Sequence, residues 1–144
     1  MTKIGISESE LRLLFIKEQV MRKVALHVEV PVFSRSVDLV AQNINDKSLA
    51  AIEFKLHDWK RAVLQVQSVA LCFDYLYICL PIPRTDQGRE SILNHCSLNG
   101  VGVFFYDYEE ERFEMALKSP RTSTVWAAQK KQIVSYLEAI SNER

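Results

Sequence analysis

Leu49-Ala50-Ala51-Ile52-Glu53-Phe54-Lys55 is a short apolar run that ends on an acid, an aromatic ring and a lysine. Polar residues bound it on both sides, the pattern of a strand. Side chains alternate along a strand, so Glu53 and Lys55 share one face and Phe54 takes the other. A second run, Val37-Asp38-Leu39-Val40-Ala41, lies just before it and carries one acid of its own. Charges inside apolar strands are costly unless they are paired or hold a metal. Two acids and a lysine on neighbouring strands are therefore expected to form one site.

Working outward, Ser7 with Glu10 three residues later is a capping box for a helix through about residue 23. Its stripe is Leu11, Leu14, Phe15 and Met21, broken by Glu18. Strands are expected at about 25–33, 37–42 and 49–56, joined by tight turns at 33–36 and 43–47. Asp58 caps a second helix running to about residue 73, with Ala62, Val66, Val69 and Phe73 buried. Tyr75-Leu76-Tyr77-Ile78-Cys79-Leu80 is continuous and apolar, as in a strand covered on both faces. A helix over 86–97, a strand over 101–106, an edge strand over 112–118 and a C-terminal helix follow. The fold class is α/β, a central mixed sheet flanked by helices in the order αβββαβαββα.

A chain of 144 residues suffices for one domain, so 1–144 is read as a single unit. Apolar residues at 48% and charged residues at 25% describe a globular chain rather than a disordered one. No run is long enough for a membrane span and the N-terminus does not read as a signal peptide, so no membrane partner and a cytoplasmic location are expected. Cys72, Cys79 and Cys96 lack metal-ligand spacing and read as reduced thiols. The 18 basic and 18 acidic side chains cancel, which argues against a nonspecific nucleic-acid coat protein but leaves room for a local basic rim. His57 follows the key strand, but no local serine or cysteine completes a triad with it. The acid-lysine set instead suits phosphodiester hydrolysis, with carboxylates on a divalent cation and an ammonium beside the attacking water.

On these residues the chain resembles the PD-(D/E)xK superfamily, the restriction-endonuclease-like nucleases. The resemblance rests on Asp38, on Glu53-Phe54-Lys55 after 14 intervening residues, and on the helix Asp58-Trp59-Lys60-Arg61-Ala62-Val63-Leu64-Gln65 that follows. It covers roughly residues 8–106, and Val37 stands where the family usually has a proline. The resemblance implies that Asp38 and Glu53 bind Mg2+ or Mn2+, with the Phe54 carbonyl as a further ligand. Lys55 would orient the water or stabilise charge developing on phosphorus. Gln65, on one helix face with Arg61, would bond Lys55 or phosphate.

An accessory acid is common in the family. Glu29, set between Val28 and Val30, is expected to be buried and to serve as that acid and metal ligand, with Glu18 as its competitor. Arg35, Lys60 and Arg61 are the expected phosphate contacts. The implied substrate is DNA, cut as an endonuclease or exonuclease. The chain could act as a homodimer or as part of a larger DNA-processing complex. Two other readings stay open: a noncatalytic nuclease-like scaffold binding nucleic acid or protein, and a structural domain whose acids and lysine form only a salt bridge.

Overall fold

The structure is a computed structural model that describes residues 5–142. Helix α1, Glu8–Lys17, begins at the expected capping box: the Ser7 hydroxyl accepts from the Glu10 N–H and Glu10 Oε1 from the Ser7 N–H. It stops earlier than expected, because Glu18 caps it and Gln19 takes a φ of 51° that no helix continues. Strands β1, Val24–Val32, β2, Arg35–Asn43, and β3, Leu49–Phe54, form an antiparallel meander. The turn into β3 is built by Asn43, whose side-chain oxygen accepts from the N–H groups of Asn45 and Asp46.

Helix α2, Trp59–Gln67, starts on the Asp58 carboxylate as expected. It does not run to Phe73: it ends at Ser68, and a short 3-10 turn, Ala70–Cys72, leads into β4, Tyr75–Pro81. Helix α3, Asp86–Leu98, strands β5, Gly102–Asp107, and β6, Arg112–Leu117, and helix α4, Ala127–Asn142, complete the chain. Apart from the added 3-10 turn, this is the order expected from the sequence. No helix among the described residues is long and apolar enough to cross a membrane.

The six strands lie in sequence order, with β3, β4 and β5 parallel at the centre and the remaining pairs antiparallel. Strand alternation divides the core between the two faces. One face carries Leu49, Ala51, Ile78, Val103 and Phe105, packed against Ala62, Val66, Ile92, Cys96 and Leu137 from α2, α3 and α4. The other carries Ala50, Ile52, Phe54, Cys79 and Phe104, covered by Leu11 and Phe15 of α1. The Phe15 ring meets those of Phe54, Phe104 and Phe113 edge to face. Gly102 is required at its place, since a Cβ there would collide with the Tyr77 ring and the Ser119 backbone.

One irregularity positions the site. Leu39 and Ala41 pack on the α1 face, whereas Val37 packs on the opposite one, so β2 changes face at Asp38. Its partner β1 changes face at Glu29, where φ is 50°. Both strands twist at the same point, and there β2 parts from β3: the regular ladder between them ends at the pair Leu39 and Ile52.

Candidate active site

Where β2 and β3 part, side chains replace the backbone ladder. The Asp38 N–H donates to Glu53 Oε2 at 3.0 Å, and the Phe54 N–H donates to Asp38 Oδ2 at 2.9 Å. Each acid is thus tied to the other acid's strand. Phe54 itself faces α1 and is buried, as alternation requires.

Glu53 is only 4% exposed, yet no cation neutralises it within ion-pair distance among the described residues. Burial, and next the charge of Asp38, push its carboxyl up to about 7, against a weaker downward pull from the Asp38 N–H, Arg35 and Lys55. Asp38 is half-buried and is also raised, chiefly by burial, with the Phe54 N–H and Arg12 opposing. Two acids facing one another in a poorly solvated gap amount to a deficit of positive charge.

Lys55 is half-buried, and its charge acts on both carboxyls. Arg35, at the start of β2, acts on Glu53 and is steadied by a bond from its guanidinium to the Ser68 hydroxyl at the end of α2. Gln65 lies one turn before Ser68, with a buried Oε1 that meets no hydrogen-bond donor. Lys60 and Arg61 are exposed on the first turn of α2, and the Lys60 ammonium lies over the Trp59 ring at 5.6 Å. Trp59 packs against the core and on His95 rather than standing free.

The expectation of a buried Glu29 is overturned. Its side chain is 68% exposed and pairs loosely with Arg12 at 3.6 Å. The cause is the local change of face, which turns Val28 and Glu29 outward before Val30 returns to the core. Glu18 is exposed at the far end of α1, where its charge acts on Tyr106. What the sequence did not single out is the first turn of α1. Glu8, Ser9 and Arg12 line a cleft of about 240 Å³ with Glu29, Ser36, Asp38 and Phe54. Glu8 charge reaches Asp38, and the Arg12 guanidinium bonds the Asp38 carbonyl. The available signal was the i, i+4 spacing of Glu8 and Arg12 beside the buried stripe of Leu11 and Phe15.

No cage of three or more His, Cys, Asp or Glu side chains exists among the described residues. Protein ligands for a cation here would come to two carboxylates plus backbone oxygen, with water completing the shell. That is the donor set of a hard divalent ion rather than of zinc. Of the pair it is Asp38 that lines the cleft, with Glu53 buried behind it, and the cleft has room for several waters, each needing about 30 Å³.

No family model and no curated protein matches this chain. Among solved structures it is similar to a protein of unknown function from Silicibacter pomeroyi, at a TM-score of 0.69 and 13% identity, covering 98% of this chain and 90% of that one. It is also similar to a repair endonuclease from Pyrococcus abyssi, at a TM-score of 0.52 and 16% identity, covering 74% of this chain. The chain spans about half the length of that endonuclease, 50% of it being covered. These likenesses establish the α/β fold, and the endonuclease among them is consistent with a restriction-endonuclease-like architecture.

Proposed function

We propose that the chain is a metal-dependent nuclease that hydrolyses phosphodiester bonds of DNA at Asp38, Glu53 and Lys55. The observation that carries this is the uncompensated acid pair. Two carboxyls are locked to each other's strands, and Glu53, almost fully buried, is raised to about 7 there. A purely structural pair would be neutralised, or replaced by apolar residues, at little cost.

Asp38 and Glu53 would hold Mg2+ or Mn2+ together with the Phe54 carbonyl. The ion would supply Lewis acidity and a water of lowered pKa. Lys55, charged and near both acids, orients the attacking water and offsets charge developing on phosphorus. Gln65 brings an acceptor in need of a donor, suited to the Lys55 ammonium or to an ordered water. Arg35, already anchored by Ser68, presents the remaining face of its guanidinium to phosphate. Lys60 and Arg61 extend a basic rim along α2. Glu8 and Glu29 stand at the mouth of the cleft, and of the two Glu8 is the better placed to act through Asp38.

Incubation with linear, circular and branched DNA tests this. Cleavage should require Mg2+ or Mn2+ and stop in EDTA. Asp38→Ala and Glu53→Ala should reduce it to background with the fold intact. Lys55→Ala should lower it roughly a hundred- to a thousandfold, and Asp38→Ala combined with Lys55→Ala should be little worse than Asp38→Ala alone. Wild-type cleavage by folded Glu53→Ala protein would end the mechanism. The zero net charge, with a basic rim confined to the start of α2, favours a second reading, a noncatalytic nuclease-like scaffold that binds a protein partner or, through that rim, nucleic acid. DNA affinity without cleavage across the whole panel would support it.

A further inference from the structure

The hairpin between β1 and β2 closes on the pair Val32 and Arg35, leaving Phe33 and Ser34 as a two-residue turn. Such turns are normally made by glycine or asparagine where φ is positive. Here Phe33 takes a φ of 57°, a conformation that a bulky aromatic side chain adopts rarely. Its ring does not repay this by packing, since Phe33 is 56% exposed. The stem beneath it is firm: Val30, Val32 and Val37 are buried in the larger core. An exposed aromatic ring is therefore held on a rigid arm at a position where glycine would be easier.

The arm points to its use. Arg35, two residues on, acts on Glu53 and is held by Ser68. β2 runs antiparallel to β3 up to the pair Leu39 and Ile52, so traced back past Asp38 it heads the way of Glu53 and Lys55, and Arg35 is still near enough to act on Glu53. From Asp38 back to Phe33 the strand covers roughly 16 Å, at about 3.3 Å per residue. A nucleic-acid strand with one phosphate at the acids can thus pass Arg35 and bring a base to Phe33. Stacking requires a free π-face, which intact duplex does not offer and an unpaired base does.

We infer that Phe33 is a stacking platform for an unpaired nucleobase, so that the site prefers single-stranded or locally opened nucleic acid to continuous duplex. This rests on the nuclease reading of Asp38 and Glu53. It goes beyond that reading by naming the substrate form and the residue that selects it.

The test is binding, measured by fluorescence anisotropy of labelled oligonucleotides with Ca2+ in place of Mg2+. Short single strands, forked duplexes and blunt duplexes of the same sequence are compared. Phe33→Ala should weaken single-strand and fork binding by about 5- to 100-fold and leave blunt duplex within about twofold. Phe33→Trp should retain affinity, and Phe33→Leu, apolar but without a π-face, should behave like Phe33→Ala. Phe33→Gly should raise the melting temperature by relieving the turn and yet lose binding. Unchanged single-strand affinity in Phe33→Ala, or an equal loss on blunt duplex, would overturn the inference. So would a Phe33→Ala change confined to the sedimentation coefficient, which would make the ring a contact between copies of the chain. If the wild-type protein cuts nothing but binds single strands through Phe33, the hydrolytic reading falls and the platform stands. If it cuts DNA and Phe33→Ala binds normally, the platform alone falls.

Discussion

Asp74, at the entry to the central sheet, and Glu53, within it, are both buried acids, 2% and 4% exposed, and their surroundings are opposite. Asp74, just ahead of β4, receives Arg121 at 3.1 Å, Lys130 at 2.7 Å and the Leu49 N–H at 2.8 Å. Its carbonyl also accepts from the Thr122 N–H. It fastens the segment after β6, and α4 behind it, to the start of the sheet. Glu53 has one backbone donor and, across the gap, another acid. A buried acid that serves the fold is surrounded by partners, whereas Glu53 is left short of them. Under the proposed function, the partner that Glu53 lacks is the divalent cation.

The two acids should differ most in what they contribute to stability. Asp74→Ala leaves two cations without their acid and a backbone donor without its acceptor. Removing one member of a buried ion pair costs about 3–5 kcal/mol. Arg121 and Lys130 keep partial access to solvent, at 55% and 26%, so a loss of about 3 kcal/mol is expected. Urea denaturation reads it as a lower midpoint at unchanged slope. Glu53→Gln should instead hold or gain stability while abolishing cleavage. Equal destabilisation by the two substitutions would make Glu53 a structural acid like Asp74.

The second effect is a pH dependence whose sign runs against the usual acid case. Glu53 rises from 4.5 to about 7 in the folded chain, so between those values the folded state binds more protons than the unfolded one. Stability of the metal-free protein should therefore fall as pH rises through this window, and recover on acidification. At about 1.4 kcal/mol per pH decade the limit is about 3 kcal/mol, and relaxation of the gap reduces it to about 1–2 kcal/mol. Melting temperatures of wild type and Glu53→Gln, measured from pH 5.5 to 8 in EDTA, should diverge as pH increases. Mg2+ or Mn2+ should restore more of the wild-type loss at the alkaline end, since the ion takes the ionised form. Parallel curves would mean that Glu53 is solvated as an ordinary carboxylate.

What the sequence made legible follows from how local each signal is. The capping box at Ser7 and Glu10, the Asp58 cap and the Asn43 turn each act within a few residues, and all three occur. Asp38, Glu53 and Lys55 were visible as charges in apolar runs. Asp74 gave no such warning, because its cationic partners, Arg121 and Lys130, lie far along the chain. Glu8 gave no warning either, since the helix dipole alone accounts for an acid in the first turn of α1. Glu29 was misplaced because two flanking valines suggest a buried stretch, whereas β1 and β2 both change face at Glu29 and Asp38 and leave Val28 and Glu29 outside. The irregularity that hid Glu29 is also what opens the strands around Asp38.

The smallest effect separates the two acids at the mouth of the cleft. Glu29 is 68% exposed and its contact with Arg12 is 3.6 Å long, so Glu29→Gln should change stability by less than about 0.5 kcal/mol. Its carboxylate does not figure among the charges that act most on Asp38 or Glu53, and turnover should stay within about twofold of wild type. Glu8 sits on a packed helix, and its charge does reach Asp38. Glu8→Gln should accordingly lower metal-dependent turnover by about tenfold, as loss of a residue supporting a metal ligand does, while stability barely moves. Single-turnover rates on one DNA substrate decide between them. A sharp loss in Glu29→Gln with normal Glu8→Gln would mean that β1 closes toward Asp38 once substrate or metal is bound, returning the accessory role to the strand.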